Sequence, residues 1–263
     1  MDLGLNGKVA VVAASSKGLG KASALALARE GARVTVCART AADLEAAAEE
    51  IRRETRTEVL AVPADLTSAE DIRRVVAATV EHFGAVDVLV NNSGGPALGR
   101  FPDLTDDDWR QAFELVTLSF VRLVREVVPH MREKRWGRII GIQSSSVKEP
   151  VEHIDLSNGI RPGIAGLMKA MMPDLAKVGI TINLVLPGRF LTSRIHPSLA
   201  SGTAHIDKTV LEQLAPLAAT IPLGRLGDPI ELGHLVAFLA SEQASYITGA
   251  VYQVDGGSIK SNL

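Results

Sequence analysis

Short β-branched runs alternate with longer helical patterns along the whole of this 263-residue chain. That alternation restricts the fold to a parallel sheet covered by helices on both faces. The runs fall at Val9–Ala13, Arg33–Ala38, Val59–Pro63, Val86–Asn91, Arg138–Gln143, Thr181–Leu186 and Val251–Val254, one strand each in a seven-stranded sheet. Helical spacing or composition occupies Lys21–Glu30, Ala42–Glu54, Ala69–Phe83, Asp106–Arg132, Pro162–Ala176 and Pro229–Ser241. Ser68 with Asp71, Thr105 with Asp108, and Asp228-Pro229 with Glu231 place acceptors or proline where a helix start has free N–H groups. No linker divides the chain, so residues 1–263 read as a single doubly wound, Rossmann-type α/β domain. The stretch from Phe190 to about Thr209, rich in Ser, Thr, Gly and His, reads as irregular, and 189–220 is expected to form a substrate lid.

A net charge of −2 and a charged fraction of 22% give no reason to expect nucleic-acid or acidic-membrane partners, and small-molecule chemistry is the expectation. The first residues lack the basic region and apolar core of a signal peptide, and no apolar run reaches spanning length, so a cytoplasmic protein is expected. The single cysteine, Cys37, lies within a strand and reads as a small buried hydrophobe. The histidines at 82, 130, 153, 196, 205 and 234 show no metal-ligand spacing, and no metal is assigned. Trp109 and Trp136, at a helix start and before a strand, read as packing residues.

The first strand runs directly into Ala14-Ser15-Ser16-Lys17-Gly18-Leu19-Gly20 and then a helix. A glycine cluster in a strand-to-helix turn lets the backbone approach a pyrophosphate, whose charge the free N–H groups of the helix start stabilise. Ala14 narrows the backbone's options there without abolishing the cradle.

Taken with Asp65-Leu66, Asn91-Asn92-Ser93-Gly94, Gly137-Arg138-Ile139-Ile140 leading to Ser144, Asn183 with Pro187-Gly188 and Thr192, and Val254-Asp255-Gly256-Gly257, the turn resembles the short-chain dehydrogenase/reductases related to 3-oxoacyl-acyl carrier protein reductases. The resemblance covers essentially the whole chain. It implies that Ser15, Ser16, Lys17, Gly18, Leu19 and Gly20 cradle the cofactor and that Asp65 and Leu66 contact adenine. It also implies that Asn92 and Gly94 border the adenosine ribose and central pocket, that Pro187, Gly188 and Thr192 hold the nicotinamide, and that the protein is a homo-oligomer, dimer or tetramer. Where an NAD enzyme ends its second strand with an acidic residue for the ribose 2′-hydroxyl, this chain has Ala38 and Arg39. Arg39 and Lys17 together predict NADP(H), since two cations can flank a 2′-phosphate.

The resemblance fails where the chemistry should be. Members of this family use Tyr as general acid, Ser to orient the carbonyl oxygen, Lys to bind the nicotinamide ribose and lower the Tyr pKa, and Asn to hold a relay water. Alignment on Gly179–Asn183 puts Ser157 in the place of the Tyr and Arg161 in the place of the Lys, and alignment on Pro129–Met131 puts Val116 at the Asn; only Ser144 is retained. Arg161 can bind ribose but does not shuttle protons, and a serine hydroxyl is far less acidic than a phenol of about pKa 10. Lys148, Glu149, His153 and Asp155 are replacement acids to be considered. Pro162 is compatible with a first helical turn and poorly with an interior, which predicts a helix beginning near Arg161, Ser157–Ile160 in a loop, and a kink or break at Pro173.

The functional expectation is an NADP(H)-dependent oxidoreductase interconverting a carbonyl and a secondary alcohol, with Ser144, Ser157 and Arg161 as its catalytic residues. Two alternatives stay open: a cofactor-binding pseudoenzyme or regulator, and a non-redox enzyme on the same scaffold.

Overall fold

The strands read as continuous rather than alternating runs, because those inside the sheet are buried on both faces while the two at its edges are only partly covered. In the computed structural model, which describes residues 1–201 and 206–262, they are β1 (Val9–Val12), β2 (Arg33–Ala38), β3 (Val59–Pro63), β4 (Val88–Asn91), β5 (Gly137–Ile142), β6 (Ile180–Pro187) and β7 (Val251–Val254). They form one sheet in the order β3-β2-β1-β4-β5-β6-β7, with every neighbouring pair parallel. The seven expected strands are all present, with ends displaced by a residue or two at most.

The helices are α1 (Gly18–Arg29), α2 (Ala41–Thr55), α3 (Ala69–Phe83), α4 (Asp106–Phe113), α5 (Ser119–Lys134), α6 (Asp155–Ala176), α7 (Lys208–Ala218) and α8 (Pro229–Ala240). Along β1, Ala10 and Val12 enter a core shared with α1, α2 and α8, whereas Val11 enters one shared with α3, α5 and α6. Successive side chains of a strand point to opposite faces, so one strand feeds two helical layers. Helix α8 lies directly on α1: a Cβ at Gly233 would come within 2.7 Å of the Ala22 carbonyl oxygen. The anticipated caps form. Ser68 accepts from the Asp71 N–H, and Thr105–Asp108 and Asp228–Glu231 each close a reciprocal capping box. The expected helix over Asp106–Arg132 is continuous but interrupted in pitch by a π-helical turn, Glu114–Leu118, which carries the buried Val116.

One expectation is corrected. Helix α6 begins at Asp155 and runs through Ser157, Pro162 and Pro173 to Ala176, so Ser157–Ile160 is helical and Pro173 does not break the element. Side chains anchor its first turn from outside. Asn158 bonds both backbone groups of Val151, at 3.0 Å from its N and 2.7 Å from its O, and the Asp155 carboxylate accepts the Phe101 N–H at 2.8 Å. Gly159 lets Trp109 pack on the backbone, where a Cβ would lie 2.7 Å from the indole. These tertiary contacts hold the turn in place although proline 162 leaves one interior carbonyl without its N–H. The segment expected as a lid also holds a helix with no separate signal in the sequence. Lys208–Ala218 is helix α7, capped by Asp207, which accepts the Thr209 N–H, and Pro197–Ser201 is a 3₁₀ turn. Residues 202–205, with His205, lie outside the described residues.

At the amino-terminal edge of the sheet, buried Asp87 holds three strands together. Its carboxylate accepts the Val9 N–H at 2.9 Å and Lys134 Nζ at 2.7 Å, and its carbonyl accepts the Arg138 N–H at 3.0 Å. Replacing Asp87 by Ala removes the acceptor from a buried N–H and the partner from a cation. It is expected to cost about 2–4 kcal/mol in urea unfolding, with Asp87→Asn milder because its amide oxygen still accepts from Val9. A loss under about 0.5 kcal/mol for the alanine variant would remove Asp87 from this role.

Candidate active site

The carboxyl ends of β1, β2 and β4 meet where the strand order reverses, the place at which a doubly wound sheet opens a crevice. The turn after β1 is tied to β2 through Ser15. Its N–H donates to the Cys37 carbonyl at 3.0 Å, its hydroxyl donates to Val12 O at 2.7 Å, and the hydroxyl oxygen accepts the Cys37 N–H at 3.0 Å. Ser15 is fully buried and its polar groups bond within the fold, so it braces the cradle from inside. Gly20 is likewise required by the protein itself, because a Cβ there would collide with the Ala14 carbonyl oxygen. Ala14 holds a φ of 48°, in the left-handed region that favours glycine, and Gly18 a φ of 58°. Asn92 donates to Ala14 O at 3.2 Å and so attaches the end of β4 to the same turn.

Lys17 and Arg39 lie two residues beyond Ser15 and Cys37, the two residues that bond the turns together. Both are exposed, and neither forms an ion pair or side-chain hydrogen bond among the described residues. Ser16 and Leu19 flank the turn, half-buried. Asp65, at the end of β3, uses one carboxylate oxygen on the Thr67 N–H and hydroxyl, while Leu66 is buried in the core beside α3. From the far side, Gly188 follows Pro187 and donates to the Val254 carbonyl at 2.9 Å, and Thr192 approaches the Gly18 turn, where a Cβ would meet its methyl at 3.4 Å. The segment after β6 therefore approaches the glycine turn at Thr192.

The positions that the family resemblance aligns with catalytic residues lie on α6, at the end of β5 and beside the segment after β4. Ser144 caps a 3₁₀ turn (Ser145–Val147) by accepting the Ser146 N–H at 3.2 Å, which leaves its O–H free to donate. Ser157 is 4% exposed, and its hydroxyl pairs with that of Ser146 at 3.1 Å. Arg161, also 4% exposed, donates from Nη1 to Gln143 Oε1 at 3.0 Å and from Nη2 to the Gly94 carbonyl at 2.8 Å, while its Nε has no partner. Burial, with the Arg194 charge adding to it, pushes the Arg161 guanidinium down to about 10. It therefore stays charged at neutral pH. The sign makes it a cost: a cation whose pKa falls on folding destabilises the folded state below that pKa and is relieved only as pH rises through it.

Ser146 and Gln143 bond to Ser157 and Arg161 and are not singled out in the sequence, where Arg194 reads, with Arg189, as a cation at the lid's start able to meet an acidic substrate. Ser146 and Gln143 sit beside the retained Ser144, which is the only signal that marks them. The four candidate acids are not gathered here. Asp155 is engaged with Phe101, Glu149 accepts the Lys260 N–H at 2.9 Å, and His153 is exposed with a φ of 63°. Lys148 closes the 3₁₀ turn through its backbone. Val116 offers no polar side-chain atom. Among the described residues no group of three or more His, Cys, Asp or Glu is arranged to hold a metal ion, and no helix is long and apolar enough to cross a membrane.

Comparison with known proteins agrees with this geometry. The family model described as enoyl-(acyl carrier protein) reductase matches residues 13–258. The chain is 35% identical to the 3-oxoacyl-acyl-carrier-protein reductase FabG of Vibrio cholerae, covering 97% of this chain and 98% of that one. It superposes with a TM-score of 0.92 on L-sorbose reductase from Gluconobacter frateurii, solved with NADPH and L-sorbose, at 32% identity over 99% and 100% of the two chains. A short chain oxidoreductase from Pseudomonas aeruginosa PAO1, whose structure is described as containing an atypical catalytic center, matches with a TM-score of 0.90 at 29% identity over 98% and 99%. With a crevice at the strand-order reversal, a braced glycine turn and full-length similarity of this kind, the chain belongs to the short-chain dehydrogenase/reductase family.

Proposed function

We propose that this protein is an NADP(H)-dependent oxidoreductase that interconverts a small carbonyl compound and a secondary alcohol, with 3-oxoacyl reductases as its nearest functional type. In this reading it is a cytoplasmic homo-oligomer, dimer or tetramer, with one domain over residues 1–263 and a lid near 189–220. The observation that carries the cofactor assignment is the pair Lys17 and Arg39, exposed, unpaired among the described residues, and brought to the same lip by the Ser15–Cys37 bonds. Two free cations beside a strand end without a carboxylate suit a 2′-phosphate. The L-sorbose reductase relative binds NADPH, as its structure's description states, which supports the same choice.

The residues present fit that cofactor: the Gly18–Gly20 helix start faces the crevice for a pyrophosphate, and Pro187, Gly188 and Thr192 border the space beyond it. When bound, NADPH supplies a hydride to the carbonyl carbon. Ser144 donates its free O–H to the substrate oxygen. Ser157, buried behind Ser146, supports that turn rather than acting as the acid, and Arg161 contributes fixed positive charge near the ribose and substrate without surrendering a proton. In this arrangement the proton that completes the alcohol comes from water. A non-catalytic, cofactor-binding role is favoured by one observation, the internal bonding of Ser157 and Arg161; NADPH binding without hydride transfer to any carbonyl would establish it in place of the enzyme.

Two outcomes test the reading. In calorimetric titration, Arg39→Asp should weaken NADPH by about tenfold or more while leaving NADH within about threefold, since a charged hydrogen bond contributes roughly 1.5–3 kcal/mol. Equal losses for the two would sink the NADP(H) assignment. Gly20→Ala forces the Ala14 carbonyl aside and is expected to cost about 1–3 kcal/mol of stability and about tenfold or more in NADPH affinity. Unchanged affinity would show that the turn does not hold the cofactor.

A further inference from the structure

Two guanidinium groups converge on the Gly94–Pro96 segment, and no carboxylate among the described residues pairs with either. Arg161 sits beneath it, bonded only to the Gly94 carbonyl and the Gln143 amide, with its Nε unpartnered. Arg194 lies across its outer side. It donates from Nη2 to the Pro96 carbonyl at 3.0 Å, and its guanidinium rests so closely on Gly95 that a Cβ there would displace it. All three acceptors are neutral. The two charges are near enough that Arg194 lowers the Arg161 pKa, and no acidic group offsets the effect. Buried charges in proteins are normally paired, and a buried cation with only neutral partners is an incomplete arrangement.

Both arginines bond to the segment after β4, and neither bonds to the glycine turn among the described residues. Lys17, Arg39 and the Gly18–Gly20 helix start already supply positive charge at the β1–β2 side of the crevice. Thr192 is the residue that reaches the glycine turn, and Arg194, two residues further on, has passed to the segment after β4. Beside it, Arg161 is reached from α6 through Gln143 at the end of β5, next to the free O–H of Ser144.

We propose that Arg161 and Arg194 form the recognition site for a carboxylate on the substrate, so that the protein acts on an acidic oxo or hydroxy compound. The proposal rests on the oxidoreductase reading above and names its substrate class. Arg194, at the mouth, receives the carboxylate directly, and Arg161, at the base, supplies a second charge that water does not screen. The carboxylate takes no part in bond making. In the reductive direction, hydride moves from NADPH to the carbonyl carbon, a proton from water reaches the oxygen, and NADP⁺ is released.

The test is a thermal melt of the NADPH-loaded full chain in sodium acetate, sodium phosphate, or acetamide with sodium chloride, at equal ionic strength. Acetate should raise the midpoint by about 2 °C or more over acetamide, and that increment should vanish in Arg194→Gln and in Gly95→Ala, which moves the guanidinium without removing its charge. Equal midpoints in acetate and acetamide, or a full acetate increment in both variants, would overturn the proposal. A larger increment from phosphate than from acetate would replace the carboxylate by a phosphate. An acetate increment present in the free protein and abolished by NADPH would assign the pair to a cofactor phosphate. A failure of NADPH to raise the wild-type midpoint would instead overturn the oxidoreductase reading, while the acetate comparison on the free protein still reports on the arginines.

Discussion

Every strand of the sheet runs in the same direction, and from that constraint most of the molecule follows. Parallel neighbours cannot be joined by tight turns, so each return needs a crossover helix, and the helices cover both faces. The seven carboxyl ends then lie along one edge, where the chain leaves the sheet in loops with no ladder to satisfy them. Here those loops are tied to one another by a few specific bonds: Ser15 to Cys37 between β1 and β2, Asn92 to Ala14 between β4 and β1, and Arg161 to Gly94 and Gln143 between α6, β4 and β5. The crevice is what those ties leave open. The opposite edge is pinned by Asp87, and the sequence features with chemical meaning fall after strands and not before them.

Arginine stands at position 161, where the family resemblance expects lysine, and the two cations differ in chemistry. A lysine ammonium is a compact charge that can lose its proton when buried, whereas a guanidinium keeps its charge and fixes its direction through a planar fork. Arg161 uses that fork to join the segment after β4 to β5, so one residue supplies both a structural joint and a local positive field. The serine at 157 fits the same shift. With no phenol to be acidified, the nearby cation is released from tuning a general acid, and its burial must be justified by something else it holds.

The sheet was legible because β-branched runs of the right length, bounded by glycine and capping residues, leave little choice of element, and Ser68, Thr105 and Asp228 cap where a free helix start requires them. The cradle was legible from its position after the first strand. Helix α6 was misread for a definite reason. Proline at 162 was weighed as a local breaker, while the bonds that hold the turn before it come from Val151 and Phe101 and from the packing of Trp109, all outside the helix. Helix α7 was hidden by the Ser-, Thr- and Gly-rich stretch before it. That Ser15 and Gly20 also serve the fold was not legible, because a motif read from its ligand's side does not reveal which of its residues the protein itself needs. Ser146 and Gln143 carry no motif, and only the proximity created by α6 exposes them.

The contact between Trp109 and Gly159 gives this centre an optical property. Only two tryptophans are present. Trp136 stands between the cations of Lys8 and Arg138, at 4.0 and 4.3 Å, far along β5 from the crevice, whereas Trp109 leans on the turn of α6 that presents Ser157 and Arg161. An indole resting on bare backbone senses small displacements of that backbone through its solvent exposure. Because Gly159 lies two residues from both Ser157 and Arg161, this indole is a native fluorophore able to follow that turn with no label attached.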